Sequence, residues 1–209
     1  MLLRGCDALG LSLAVDQIQQ LQDYLALLTR WNKTYNLTAV RDEGEMVTRH
    51  LLDSLSVAPF VKGRRVLDVG SGAGLPGIPL SILFPDRAFH LLDSNGKKTR
   101  FLFQVKTALG LDNISIHQAR AESFSVAERF DTVLSRAFAS VADTLHSCHH
   151  LLAPGAALLA MKGVYPATEL EAASESGVRI TVHKLVVPGL DEQRHLVEIR
   201  RQFADRQQA

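Results

Sequence analysis

The chain has 209 residues, 46% apolar and 22% charged, long enough to bury a core and too apolar for a disordered segment. Lys and Arg number 23 against 22 for Asp and Glu, which excludes a uniformly basic nucleic-acid coat; any such contact must rest on a local patch. Cys6 and Cys148 are too few for a disulfide framework, and the longest apolar run, 151–161, is interrupted by Pro154 and Gly155 and is too short to span a membrane. Arg4 and Asp7 break the N-terminal apolar stretch, so no signal-peptide core is expected and the reading is a soluble cytoplasmic enzyme.

In chain order, Ile18, Leu21, Leu25, Leu28 and Trp31 recur at steps of three and four and predict one amphipathic helix. A second helix is predicted over 43–55, with Met46, Val47, Leu51, Leu52 and Leu55 facing inward. Between them lies a polar connection in which Asn36 and Thr38 suit turns. From about residue 60 the pattern changes. Strands are predicted at 64–69, 88–93, 114–118, 131–136 and 156–162, alternating with helices at 78–84, 97–109, 141–151 and 167–176. Near-continuous apolar strands joined through helices imply a parallel sheet covered on both faces. Two further strands, 178–187 and 195–201, are separated only by PGLDEQR, too short for a crossover helix, so they pair antiparallel. The expectation is a single domain over 1–209, with a helical extension at 1–58 and a cofactor-binding α/β core at 59–209.

The first strand runs into VLDVGSGAGLPGIPL, where Gly70, Gly72, Gly74 and Gly77 mark a strand-to-helix handover. Glycines there permit a tight turn and let a ligand lie against bare main chain. The second strand ends at Asp93, 23 residues beyond Gly70, where a carboxylate can accept both ribose hydroxyls of an adenosine. Asp68, two residues before Gly70, would put a second carboxylate beside the ligand. That suits an ammonium and a sulfonium and would repel a pyrophosphate, so S-adenosylmethionine is favoured over a nicotinamide dinucleotide.

The stretches WNKTYNLTAVRD, RHLLDSL, DVGSGAGLPGIPL, LLDSNGKKTRFL, SRAFAS, MKG and LDEQRHLV follow one another in this order. In them the chain resembles the bacterial small-subunit ribosomal RNA guanine-N(7) methyltransferases, also called glucose-inhibited division protein B, from about Trp31 to about Val197. The resemblance implies a Rossmann-like S-adenosylmethionine-dependent methyltransferase fold with a mostly parallel seven-stranded sheet and an antiparallel closing strand. It implies methyl transfer to N7 of one guanine in 16S ribosomal RNA, free or in the assembled small subunit, by a chain expected to be monomeric. By motif position it implies cofactor contacts at Gly70, Leu75, Ala121, Glu122 and Arg136. The loop residues Asp68, Gly72 and Gly74 and the ribose acid Asp93 complete the expected cofactor set. Arg136, closing the fourth strand, and Lys162, closing the fifth, are the expected catalytic residues, orienting RNA or cofactor; Lys162 could meet a phosphate or the guanine oxygen.

No metal is expected. His146, His149 and His150 would share a helix face, but Cys148 points elsewhere and no carboxylate completes the set. Ser135 and Asp131 lack the nucleophile elbow of a hydrolase. Two basic groups, Lys62, Arg64 and Arg65 and then Lys97, Lys98, Arg100 and Lys106, are candidates for RNA phosphate contact. The N-terminal helices could cap the cofactor or extend the RNA surface. Competing functions are a nicotinamide-dependent oxidoreductase and a non-catalytic ribosome-assembly factor.

Overall fold

A computed structural model describes residues 1–174 and 177–201. Its strands are β1 (Arg65–Val69), β2 (Ala88–Asp93), β3 (Ile114–Gln118), β4 (Phe130–Arg136), β5 (Leu152–Lys162), β6 (Val178–Leu185) and β7 (Arg194–Arg201). They form one sheet in the order β3-β2-β1-β4-β5-β7-β6. β1 to β5 are parallel; β7 inserts antiparallel between β5 and β6. The chain therefore leaves β1 toward one edge through β2 and β3, then returns to the other side of β1 with β4. That reversal opens a crevice at the C-terminal ends of β1 and β4, the place where open α/β sheets bind ligands.

The interior strands are buried on both faces, as their continuous apolar runs require: Val66 to Val69 are all buried, whereas edge strand β6 alternates exposed and half-buried residues. Neighbours along a strand feed opposite faces. Val66 joins a cluster with Ile78, Phe89 and Phe101, and Leu67 joins another with Val133, Val141 and Leu145. The helices α1 (Leu2–Ala8) and α2 (Val15–Tyr35) belong to the first cluster through Leu2, Cys6, Leu21, Tyr24 and Leu28. The extension thus shares its core with the sheet.

The expected helix over 43–55 is present but irregular: α3 (Glu43–Met46) passes through a π-helical turn, Val47–Leu52, into α4 (Asp53–Leu55). His50, Leu51, Leu52, Asp53, Ser54 and Leu55 are all buried, so this segment lacks the polar outer face of an amphipathic helix. Next come α5 (Gly77–Leu83) and α6 (Gly96–Leu109) on the α2 side of the sheet, then α7 (Val141–Cys148) and α8 (Ala167–Ser174) on the other. β5 starts four residues earlier than the apolar run suggests. Leu152 pairs with Phe130, and the register shifts before Thr132 pairs with Ala157, which places Pro154 and left-handed Gly155 in the irregular part. The expected helix 167–176 is described to Ser174; 175 and 176 lie outside the described residues.

Leu28 is fully buried between α2 and the sheet core. Leu28→Ala should lower unfolding free energy by about 2–5 kcal/mol, the range for a core cavity. Because that core is shared, urea unfolding followed by far-UV circular dichroism and by Trp31 fluorescence should shift together as one transition.

Candidate active site

The segment from Gly70 to Pro76 is mostly backbone, so its N–H and C=O groups must be met by what surrounds it. Gly70 and Ser71 donate their N–H groups to the Leu92 carbonyl at 2.8 and 3.1 Å, fastening the loop to the end of β2. Gly72 donates to Asp93 Oδ2 at 2.9 Å, and Asn95 donates to Asp93 Oδ1 at 2.8 Å. Gly77 donates to Asp68 Oδ2 at 2.9 Å, and the buried Tyr24 hydroxyl donates from α2 to the Ala73 carbonyl at 2.8 Å. Two of the glycines are required for different reasons. A Cβ on Gly74 would lie 2.4 Å from Ile78, so packing forbids it; on Gly72, at φ +58°, the nearest atom would be 3.7 Å away. Gly72 is kept by its left-handed backbone, since a Cβ there would make only ordinary van der Waals contacts.

A cavity of about 280 Å³ opens beside this loop, walled by Gly70, Asp93, Lys98, Ala121, Glu122 and Phe138, among others. Asp93 is only 6% exposed, yet its carboxylate forms part of the wall, with Lys98 Nζ at 3.6 Å. Ala121 and Glu122 follow β3 in a short 3-10 turn, Ala121–Ser123. The Ser147 hydroxyl donates to Glu122 Oε1 at 3.0 Å; a backbone hydrogen bond and then this one hold the Glu122 carboxyl below the usual range.

Of the residues singled out from sequence, Gly70, Asp93, Ala121 and Glu122 meet on this cavity. The others stand around it. Asp68 lies beneath the loop, fully buried, so it braces Gly77 and does not reach the cavity wall. Its Oδ1 has no hydrogen-bond partner, and burial pushes its carboxyl up to about 7. Gly72, Gly74 and Leu75 shape the loop behind the wall, Leu75 being buried. Arg136 closes β4 with its guanidinium 3.4 Å from buried Asp53, and it donates to the Arg49 carbonyl at 3.0 Å. Lys162 closes β5 and donates to Glu169 and to the Ala139 carbonyl, each at 2.8 Å. Both rim cations therefore have a carboxylate partner.

Sequence reasoning missed Phe138 and Arg120 as wall residues and Asp53 and Glu169 as partners. Phe138 lies inside SRAFAS, and its neighbour Ala137 has φ +50°, a conformation non-glycine residues rarely hold. The histidine cluster has other business: His149 Nδ1 lies 2.8 Å from the His146 carbonyl and His150 Nε2 lies 3.0 Å from the Phe124 carbonyl. Among the described residues no group of three or more His, Cys, Asp or Glu could hold a metal ion. Both cysteines are buried, with thiols pushed up to about 11 for Cys6 and about 12 for Cys148 by desolvation, which leaves neither a nucleophile. No described helix is long and apolar enough to cross a membrane.

Residues 17–197 match the family model described as rRNA small subunit methyltransferase G. The chain belongs to that family. The ribosomal RNA small subunit methyltransferase G of Pseudomonas aeruginosa is 53% identical over 201 residues, covering 96% of this chain and 94% of the relative. That of Stutzerimonas stutzeri is 55% identical over 202 residues, again 96% and 94%. Among solved structures, the glycopeptide N-methyltransferase MtfA complexed with S-adenosyl-L-methionine superposes with a TM-score of 0.61 at 14% identity, over 74% of this chain and 88% of that one. A SAM-dependent methyltransferase from Aquifex aeolicus gives 0.58 at 17% identity, over 71% and 90%. The chain has the S-adenosylmethionine-dependent methyltransferase fold, with the methyltransferase G sequence pattern running through the wall and rim described above.

Asp68 generates a test by pH. Its folded-state carboxyl stands near 7 against an ordinary value of 3.8, so the folded state holds a proton that the unfolded state releases. Its contribution is most favourable below about pH 4 and is lost as pH rises to about 7. Asp68→Asn keeps a neutral acceptor for Gly77. Its stability relative to the parent should therefore rise steadily between pH 4 and pH 7 and then level, in urea denaturation run across that range. A difference that does not vary with pH would show that Asp68 is ionised throughout.

Proposed function

We propose that this chain transfers the methyl group of S-adenosylmethionine to N7 of one guanine in small-subunit ribosomal RNA. The observation that carries the reading is the cavity at the sheet's reversal point with Asp93 on its wall, in a chain of this family. We further read it as a monomer working in the cytoplasm on free RNA or on the small-subunit particle.

The wall fits the cofactor group by group. Each Asp93 oxygen accepts one protein N–H, which orients the carboxylate and leaves lone pairs for two ribose hydroxyls. Glu122 accepts a backbone N–H and the Ser147 hydroxyl and keeps lone pairs for the amino edge of an adenine, beside the Ala121 backbone. Gly70, with the Phe138 ring packed where a Cβ would stand, brings main chain to the loop end of the cavity. When bound, S-adenosylmethionine supplies a methyl group activated by its sulfonium. The residues of the chain then have one task, to hold a guanine so that N7 faces that methyl in line. Lys162 has three hydrogens and uses two on Glu169 and Ala139, leaving one for the guanine O6 or a neighbouring phosphate. Arg136 stands beside it with its Nη1 buried 3.4 Å from Asp53 Oδ2, so its role here is to position the rim.

Labelled S-adenosylmethionine should transfer its methyl to small-subunit RNA from a strain lacking this protein, and cleavage at N7-methylated guanine should map it to one position. Methyl incorporation at another atom, or RNA binding without incorporation, would overturn the reading in favour of another acceptor or an assembly factor. Asp93→Asn should weaken S-adenosylmethionine binding by about 1.5–3 kcal/mol in calorimetry, the range for hydrogen bonds to a charged group.

Guanine N7 carries a lone pair and no proton, so no general base is needed, and no histidine is on the cavity wall. With both substrates saturating, the single-turnover rate should be nearly flat between about pH 6.5 and 8.5. A tenfold rise per pH unit would indicate an amino or hydroxyl acceptor.

A further inference from the structure

A second cavity, of about 330 Å³, lies outside the cofactor site where α2 packs on α6. It is lined by Leu27, Arg30, Trp31, Thr34, Tyr35 and Gln104. The first five recur on α2 at helical spacing, so one face of its C-terminal half is given to this groove. Its aromatic rings form a ladder running outward from the core. Phe101 is fully buried, Trp31 lies against it with ring centroids 5.6 Å apart, and Tyr35 stacks on Trp31 at 5.1 Å and an interplanar angle of 29°. Tyr35, at the outer end, is 41% exposed. A flat π system could add one more rung.

The charge around the groove says which flat system. Residues 24–41 carry Arg30, Lys33 and Arg41 and no acid; residues 94–111 carry Lys97, Lys98, Arg100 and Lys106 and no acid. In a chain whose total charge is +1, these two segments hold seven cations uncompensated within their own sequence. No carboxylate pairs with Arg30, Lys33, Lys97 or Arg100 among the described residues. Another surface cavity, near Arg49, has the opposite character, with Asp42, Glu45, Asp191 and Glu192 on its wall. Aromatic faces interleaved with unpaired cations are what single-stranded nucleic acid requires: rings for bases, charges for phosphates.

Position completes the argument. Lys98 stands on the cofactor cavity wall, and Gln104, six residues along the same helix, stands on the groove. At 1.5 Å per residue they are about 9 Å apart along α6, within reach of one short single-stranded segment. We infer that the α2–α6 groove receives an unpaired base of the RNA substrate, stacked on Tyr35, with Arg30 and Arg100 meeting the flanking phosphates. This rests on the reading of the chain as an RNA methyltransferase and adds where RNA outside the target guanine is held.

Trp31 is the only tryptophan, so its fluorescence reports on the groove. A ten-nucleotide single-stranded RNA of mixed sequence should quench it saturably, and the same RNA annealed to its complement should quench it far less. Tyr35→Ala and Arg30→Ala should raise KM for small-subunit ribosomal RNA about tenfold, with kcat and S-adenosylmethionine affinity unchanged; Tyr35→Phe, which keeps the ring, should stay within about twofold of the parent. Unquenched fluorescence with saturating single-stranded RNA, or a parental KM in Tyr35→Ala, would overturn the inference. Quenching by assembled subunits but not by deproteinised RNA would overturn it too, by making the occupant a protein. If the parent methylates no ribosomal RNA, it is the function reading that fails, and the oligonucleotide titration still judges the groove.

Discussion

A loop made mostly of main chain cannot hold its own shape, and the site depends on how two carboxylates solve this. Asp93 fixes Gly72 and the start of α6 with its two oxygens, and Asp68 fixes Gly77 at the start of α5. The loop is pinned at its middle and at its end, to the tips of β2 and β1. Ordering a glycine-rich loop during ligand binding would cost about 1–2 kcal/mol per residue, a cost largely met here during folding. Asp93 is the more consequential of the pair. The same carboxylate that orders the loop lines the cavity, so loop shape and ligand recognition cannot vary independently.

A second constraint holds the N-terminal region to the rim at the C-terminal end of β4. Asp53, 2% exposed, accepts from Arg194 at 3.1 Å and lies 3.4 Å from Arg136, while Glu192 meets both Arg49 and Arg194. Burial pushes the Asp53 carboxyl up against the pull of both guanidiniums. Such a network is a weak source of stability and a strong source of geometry, because breaking one member strands a buried charge. It joins α4, the end of β4 and the start of β7, three elements far apart in sequence. Together with the Tyr24 hydrogen bond to Ala73, it makes the helical extension a support of the cofactor loop.

What was legible in the sequence follows from the range of the interactions. Hydrophobic period is local, so α2, the five parallel strands and the β6–β7 pairing could be read directly, as could Asp93 at the end of its strand. The Asp53–Arg136 and Lys162–Glu169 pairs could not. The first spans 83 residues, and the second depends on α8 folding back over the end of β5. Asp68 illustrates the same limit. Its place before the glycines suggested a carboxylate beside the ligand, but strand alternation turns its side chain under the loop toward Gly77. The π turn over Val47–Leu52 was illegible for a different reason: its apolar residues fit a regular helix equally well, and the i→i+5 backbone bonding that separates the two leaves no mark in residue type.

The pairing of the rim cations bears on the proposed chemistry. N7 methylation converts a neutral guanine into a fixed cation, which on the proposed reading would form beside Lys162 and Arg136. Two bare cations there would bind phosphate well but oppose the charge that develops on the ring during transfer. With Glu169 at 2.8 Å from Lys162 and Asp53 at 3.4 Å from Arg136, each cation is close to locally neutral, and Lys162 keeps one hydrogen to donate. The rim can then orient the base by directional hydrogen bonds without raising the barrier through like-charge repulsion. The cations without a carboxylate partner lie elsewhere, on α2 and α6, where the proposed contacts would be to phosphates whose charge the reaction does not change. On that proposal, attraction for the RNA and tolerance of a cationic product fall to different parts of one surface.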